Sequence, residues 1–221
     1  MTRVRPTQPA LTSILFDPLD WLPPACVPLV VPAQWLDLCS LRCDVRPAAW
    51  INQVIVDTHN LACTLDDRTE GSNPAVWIKN WRRLRHAAWL AGCRCLRDTL
   101  VTTGRFSQLG QTARDFALLP VIAPRPCTLL QTRVATDLSV LLAQGYRCLF
   151  QKSATHSDGG TALPLALRQR LALMFADAQA LIDRVAPTAN EDTSLATFPT
   201  LFDTALAHAQ IHQNTYAVTG Y

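Results

Sequence analysis

The chain has 221 residues, of which 49% are hydrophobic and 17% charged, with a formal net charge of +3. This apolar share is enough for one large domain, or for one domain with a small terminal lobe. The small net charge gives no support for nucleic-acid binding. The uncharged apolar stretch at residues 21–36 is broken by prolines, so we expect no membrane insertion.

The first 32 residues are rich in proline. Proline steps at residues 17–18 and 23–24 disfavour regular helix and predict extended or turn geometry. The segment also carries large apolar side chains such as Trp21, which a disordered tail does not usually hold. We therefore expect residues 1–32 to form an ordered Pro-rich N-terminal arm on a helical domain of residues 33–221.

Helical periodicity follows the arm, with prolines at several positions where a first helical turn tolerates them. The predicted helices begin at Pro32 and then cover about 47–65, 74–101, 107–118, 130–145, 164–185 and 199–213. Residues 27–31 are the nearest candidate for a β-strand, and their proline argues against it. The pattern predicts an all-α fold, a single globular domain of about six or seven helices.

The longest predicted helix, 74–101, carries two opposite faces at 100° per residue. Its apolar stripe consists of Trp77, Trp81, Leu84, Ala88, Ala91 and Cys95. Its basic residues lie within about 120° on the other side: Lys79, Arg82, Arg83, His86, Arg94 and Arg97. A solvated outer face explains these charges. The alternatives are a surface for an acidic partner or a nucleic-acid site, and no aromatic residues are interleaved for the latter.

The tryptophans divide into two groups. Trp77 and Trp81 belong to the apolar stripe and are expected in the core. Trp21 and Trp35 belong to the arm and the first helix, where either packing of the arm or contact with a partner would account for them.

The cysteines and histidines do not form a recognisable metal site. Cys39 and Cys43 have the spacing of half a structural zinc site, but Cys93 and Cys95 do not supply the other half. The eight dispersed cysteines indicate no disulfide framework and favour the reducing cytosol. We expect no metal and no cofactor.

Catalytic motifs are also missing from the sequence. His208 is four residues before His212, but no glutamate follows the first histidine as in a metalloprotease. No nucleophile elbow or phosphate-binding loop is present. A catalytic site assembled from His59, Asp57 and Cys63 is an alternative, but the sequence offers no residue that would orient these side chains. We therefore expect no catalytic residues and a protein that is not an enzyme.

The order of several segments resembles a known family. These segments are Phe16–Pro24, Trp81–Gly92, Leu96–Leu100 and Ala113–Pro120. Together they resemble the SctK-type accessory proteins of bacterial type III secretion systems, the YscK and OrgA-like group. The resemblance covers about residues 14–120, and residues 121–221 match only in being helical.

The resemblance implies a cytoplasmic, non-enzymatic adaptor of the secretion sorting platform. Its partners would be the cytoplasmic domain of the inner-membrane ring protein and the pod protein that leads to the ATPase complex. The alternative is a helical regulatory protein that binds nucleic acid through residues 79–105.

The candidate partner-binding residues come from the sequence itself: Trp21, Trp35, Lys79, Arg82, Arg83, Arg94 and Arg97. If the basic face is solvated, charge reversal at Arg82, Arg83 and Arg94 together should weaken partner binding and leave thermal stability nearly unchanged.

Overall fold

A computed structural model describes residues 8–38, 45–65, 74–121, 123, 137–150, 163–184 and 198–211. These residues are helical and contain no strand. The helices are α1 (Gln8–Phe16), α2 (Pro18–Trp21), α3 (Val27–Val30), α4 (Val45–Thr58), α5 (Pro74–Asn80), α6 (Leu84–Cys95), α7 (Arg97–Thr102), α8 (Gln111–Leu118), α9 (Leu138–Leu149), α10 (Leu165–Met174), α11 (Gln179–Arg184) and α12 (Phe198–Ile211). The all-α prediction is confirmed. No described helix has both the length and the apolar character of a bilayer span.

The helices are shorter and more numerous than the six or seven predicted. The predicted helix over 74–101 is divided by a 3₁₀ turn at Trp81–Arg83 and by a turn at Leu96. A stretch of turns at residues 175–178 likewise separates α10 from α11. The 3.6-residue spacing of apolar residues continues across these turns, because buried residues lie both before and after each turn. Periodicity alone therefore did not reveal where the backbone leaves the α-helix.

The Pro-rich segment contains short helices, although we predicted extended or turn geometry and no regular helix. It contains α1, α2 and α3, and proline occupies one of the first two positions of both α2 and α3. Proline is tolerated there because the first turn of a helix needs no intrahelical N–H donor. The prolines therefore begin short helices. The boundary after residue 32 stays a prediction.

The contacts group the chain into two compact units. Unit 1 comprises residues 1–82 and 153–177, and unit 2 comprises residues 83–152 and 178–221.

In unit 1, α1 packs against α2, α4, α5 and α10. Trp21 and Trp81 meet edge to face in its core, with ring centroids 5.6 Å apart. The Nε1 of Trp21 donates a hydrogen bond to the carbonyl of Ile14 at 3.2 Å. Residues predicted as arm and body thus share one apolar core within this unit.

A buried guanidinium ties the segments of unit 1 together. Arg170, on α10, is fully buried. Its Nε donates to the Ile14 carbonyl at 3.0 Å and its Nη2 to the Leu15 carbonyl. Its Nη1 donates to the carbonyls of Ala62 and Ala166 at 2.8 and 2.9 Å. Because the last four carbonyls of a helix lack intrahelical donors, Arg170 satisfies two at the end of α1.

Unit 2 is built around α6, which packs against α8, α9 and α12. The stripe predicted for this helix is buried from Leu84 to Cys95, and further residues, such as Ala87 and Leu90, are buried as well. A helix that is apolar around most of its circumference is typical of a central core position. The predicted stripe is thus only part of what α6 buries.

Two glycines let α6 and α9 touch through their backbones. A Cβ atom added at Gly92 would lie 1.9 Å from the Leu141 carbonyl oxygen. One added at Gly145 would lie 1.7 Å from the Ala88 carbonyl oxygen. Any side chain at either position would therefore collide with the backbone of the other helix.

Helix α9 begins at Leu138. Asp137 is its N-cap, and its side chain accepts a hydrogen bond from the Ser139 amide. Aspartate is strongly preferred at this position because it satisfies an amide that has no intrahelical acceptor. The predicted start at residue 130 lies outside the described residues, and Leu138, in the first turn of α9, is exposed.

Candidate interaction surface

Trp21 lies in the core of unit 1. Its side chain is buried and packs against Trp81. Its indole N–H donates a hydrogen bond to the Ile14 carbonyl. This position fits the packing alternative that the sequence offered for Trp21.

Trp35 forms part of an aromatic pair at the surface of unit 1. Its ring meets that of Trp50 edge to face, with centroids 4.3 Å apart. Trp35 is half-buried, and Trp50 on α4 is 48% exposed. We call Trp35 and Trp50 the aromatic pair. Tryptophan is enriched among the residues that dominate binding energy at interfaces, so the aromatic pair is a candidate contact.

Sequence reasoning missed Trp50 as a surface residue. The 3.6-residue pattern of its helix grouped Trp50 with Ile51 and Ile55, which are buried. Trp50 and Ile51 are successive residues and therefore point about 100° apart on a helix. Their angular separation was the signal that could have distinguished them.

Lys79 and Arg82 are exposed in unit 1. Lys79 lies in the last turn of α5. Arg82 forms an ion pair with Asp20. Such an exposed pair contributes little to stability, typically about 0–1 kcal/mol. These two cations are therefore available to an acidic partner at a small energetic cost.

Arg83, Arg94 and Arg97 belong to unit 2, and each is half-buried. Arg94 donates through Nη2 to the Val121 carbonyl at 2.7 Å. Arg97 pairs with its neighbour Asp98 at 2.9 Å. The assumption of a uniformly solvated face is wrong for Arg94, because its guanidinium bonds a backbone carbonyl.

The single helical wheel drawn over residues 79–97 does not describe the chain. Residues 81–83 form a 3₁₀ turn, which has 3.0 residues per turn in place of 3.6. The candidate residues are divided between the two units. The regular helix assumed for these basic residues is therefore interrupted at residues 81–83.

The residues considered for metal binding or catalysis are engaged in separate contacts. Within the described ranges, no group of three or more potential ligands is present. His59 contacts the Val30 carbonyl at 2.8 Å, Asp57 accepts from Gln53, and the Cys63 thiol donates to Leu61. Cys39, Cys43 and His212 lie outside the described residues.

Cys93 and Cys95 differ in their surroundings. Burial raises the pKa of the Cys93 thiol to about 12. Cys95 lies against Cys148 of α9, with a sulfur–sulfur distance of 3.1 Å. The two residues of the Cys-x-Cys sequence thus serve different positions in the core, as their separation on the helix predicts.

A family model described as "Bacterial type III secretion apparatus protein (OrgA_MxiK)" matches residues 11–211. This chain belongs to the OrgA/MxiK family. It is also similar to "Oxygen-regulated invasion protein OrgA" of Salmonella typhimurium strains 14028s, SL1344 and LT2. The identity is 29% over 164 residues, which are 73% of this chain and 72% of each relative. No solved structure matches the chain significantly.

The family match extends the resemblance found in the sequence. That resemblance ended near residue 120, whereas the OrgA/MxiK model continues to residue 211. It therefore covers α9 to α12 and all of the candidate partner-binding residues. The match to the type III secretion apparatus family therefore covers most of the chain.

Proposed function

We propose that this OrgA/MxiK family protein is a non-enzymatic adaptor of the type III secretion sorting platform. It would act in the cytoplasm and link the inner-membrane ring to the pod and ATPase complex. The family match over residues 11–211 carries this proposal. The Salmonella relatives are named as invasion proteins, and we extend to this chain a role in a secretion apparatus that serves virulence.

The aromatic pair and the exposed cations of unit 1 are the proposed contact residues. A half-exposed tryptophan such as Trp50 offers a partner a large rigid surface at a low cost in side-chain entropy. Lys79 and Arg82 offer positive charge to an acidic partner, which would mainly raise the rate of association. These features support contact with proteins and require no cofactor.

A reconstituted ternary complex tests the proposal. The purified chain is mixed with the cytoplasmic domain of the ring protein, with the pod protein, and with both, after nuclease treatment. Size-exclusion chromatography with light scattering then gives the mass of each complex. A linker must yield a complex that contains all three proteins, since an adaptor binds both partners at once.

Two variants make the test specific to the proposed surface. Trp50→Ala should weaken binding at least tenfold if the aromatic pair is a main contact. Leu165→Ala is the matched control, because Leu165 has the same 48% exposure in the same unit. Binding of only one partner would contradict the adaptor role. Equal affinity of the two variants would contradict the assigned surface.

The nucleic-acid alternative predicts a different result. The purified chain would then bind DNA or RNA directly, and this affinity would fall steeply as salt concentration rises. We propose the protein partners because the half-buried arginines and the interrupted helix reduce the basic surface that a nucleic acid would need.

A further inference from the structure

The thiols of Cys95 and Cys148 are in contact inside unit 2. Their sulfur atoms are 3.1 Å apart, and a disulfide bond measures about 2.05 Å. Both residues are buried, and 53 positions separate them in the sequence. The remaining gap is about 1 Å, and rotations about the side-chain bonds supply movement of that size.

The helices that carry these cysteines are held together next to the thiols. Cys95 follows Gly92 by three residues, and Cys148 follows Gly145 by three residues. Residues three apart lie on the same side of a helix, and both glycines contact the backbone of the other helix. The glycine contacts therefore hold together the two helices that carry the sulfur atoms.

The surroundings of Cys95 hold it in the thiol form at neutral pH. The side-chain amide of Gln144 donates to the sulfur of Cys148 at 3.2 Å. The hydrogen bond with Cys148, followed by burial, raises the pKa of Cys95 well above its usual range. Because the thiolate is the reactive form, oxidation should be slow at neutral pH and accelerate in base.

We propose that Cys95 and Cys148 are a redox-modification site, at which a small hydroperoxide converts the two thiols into a reversible disulfide. One thiolate attacks the terminal oxygen of the hydroperoxide, the O–O bond breaks, and the sulfur becomes a sulfenic acid. The hydroxide or alkoxide that leaves takes a proton and becomes water or an alcohol. The second thiol then displaces the hydroxyl group as water and forms the S–S bond. Two electrons pass to the peroxide, and a dithiol reductant reverses the reaction.

The bond would lock α6 to α9 at the centre of unit 2. A cross-link between residues this far apart removes conformational freedom from the unfolded chain. We expect oxidation to raise the melting temperature by about 5–15 °C. This inference does not depend on the adaptor role, because it concerns the core of unit 2 alone.

Peptide mapping of the full-length protein tests the site directly. The protein is treated with hydrogen peroxide, its free thiols are alkylated, and it is digested with trypsin. Cleavage after arginine and lysine places Cys93, Cys95 and Cys148 in separate peptides, 86–94, 95–97 and 148–152. We expect peptide 95–97 linked to peptide 148–152, released by dithiothreitol and formed faster at pH 9 than at pH 7.

Two variants separate this bond from other oxidation. Cys148→Ala should lose both the linked peptide and the peroxide-induced rise in melting temperature, whereas Cys93→Ala should keep both. The mapping on the unmodified protein stands even if a variant folds poorly. Peptide 95–97 recovered fully alkylated, joined to another cysteine, or carrying sulfinic or sulfonic acid without the linked pair would overturn the proposal.

Discussion

At the scale of single residues, Arg170 shows how one side chain can organise several segments. Its guanidinium donates to carbonyls of α1, of the segment after α4 and of its own helix. Burial lowers the pKa of Arg170, because a charged group is disfavoured away from water. Its planar fork of donors matches several acceptors at once, which a lysine cannot do.

Replacement of Arg170 by methionine should destabilise the protein by about 3 kcal/mol or more. The carbonyls of Leu15 and Ala62 would lose Arg170 as their donor, and the Ile14 carbonyl would keep only the bond from Trp21. Urea unfolding followed by circular dichroism measures the loss. Arg46→Met is the control, since Arg46 is exposed on α4 and its replacement should change the unfolding free energy by less than about 0.5 kcal/mol. Equal stability of the two variants would refute the role given to Arg170.

The sequence did not single out Arg170. It is one of 20 basic residues, and nothing in its local pattern distinguishes it from an exposed arginine. Its acceptors Ile14 and Leu15 lie 156 and 155 positions away. Only the folded chain brings these groups together.

At the scale of elements, the crossing of α6 and α9 depends on the absence of a side chain at two positions. Gly92 and Gly145 each face a carbonyl of the other helix at a distance that excludes a Cβ atom. Glycine within a helix costs about 1 kcal/mol relative to alanine. Here that cost is offset by the close packing of the two central helices, which a larger residue would prevent.

Gly92→Ala and Gly145→Ala should each destabilise the protein by about 2–4 kcal/mol, because the added methyl group must push the helices apart. Thermal or urea unfolding measures the effect. Gly110→Ala is a suitable control: no heavy atom lies within 4 Å of a Cβ there, and the loss at this N-cap should stay below about 1 kcal/mol. If alanine at residues 92 and 145 were as harmless as at 110, the backbone contact would not be a feature of the native state.

At the scale of the whole molecule, the candidate partner-binding residues differ in how far their side chains are exposed to solvent. Lys79 and Arg82 are exposed, whereas Arg94 is half-buried and bonded to Val121. The variant suggested by the sequence, with charge reversal at Arg82, Arg83 and Arg94, would therefore mix a surface change with a structural one. A cleaner variant changes exposed cations only.

Lys79→Glu combined with Arg82→Glu should weaken binding of an acidic partner several-fold, chiefly by slowing association, and should change stability by less than about 1 kcal/mol. Surface plasmon resonance at low and high salt separates association from dissociation. Arg94→Glu should instead lower the melting temperature, because it leaves the Val121 carbonyl without its donor. Unchanged association of the double variant would remove these cations from the proposed surface.

The sequence by itself determined the features that depend on local pattern. Helical periodicity predicted an all-α fold, and the prolines argued against a strand at residues 27–31. The order of four segments along the chain indicated the secretion family that the comparisons confirm. Such features can be read locally because helix formation and the hydrophobic stripe repeat over a few residues.

The tertiary structure decided what each residue contacts. It placed Trp21 in a core and Trp50 at the surface, and it joined Cys95 to Cys148 across 53 positions. It also divided the predicted long helix at Trp81–Arg83. Burial and pairing depend on segments that are distant in sequence, so a local pattern can predict which side of a helix is apolar but not what will cover it.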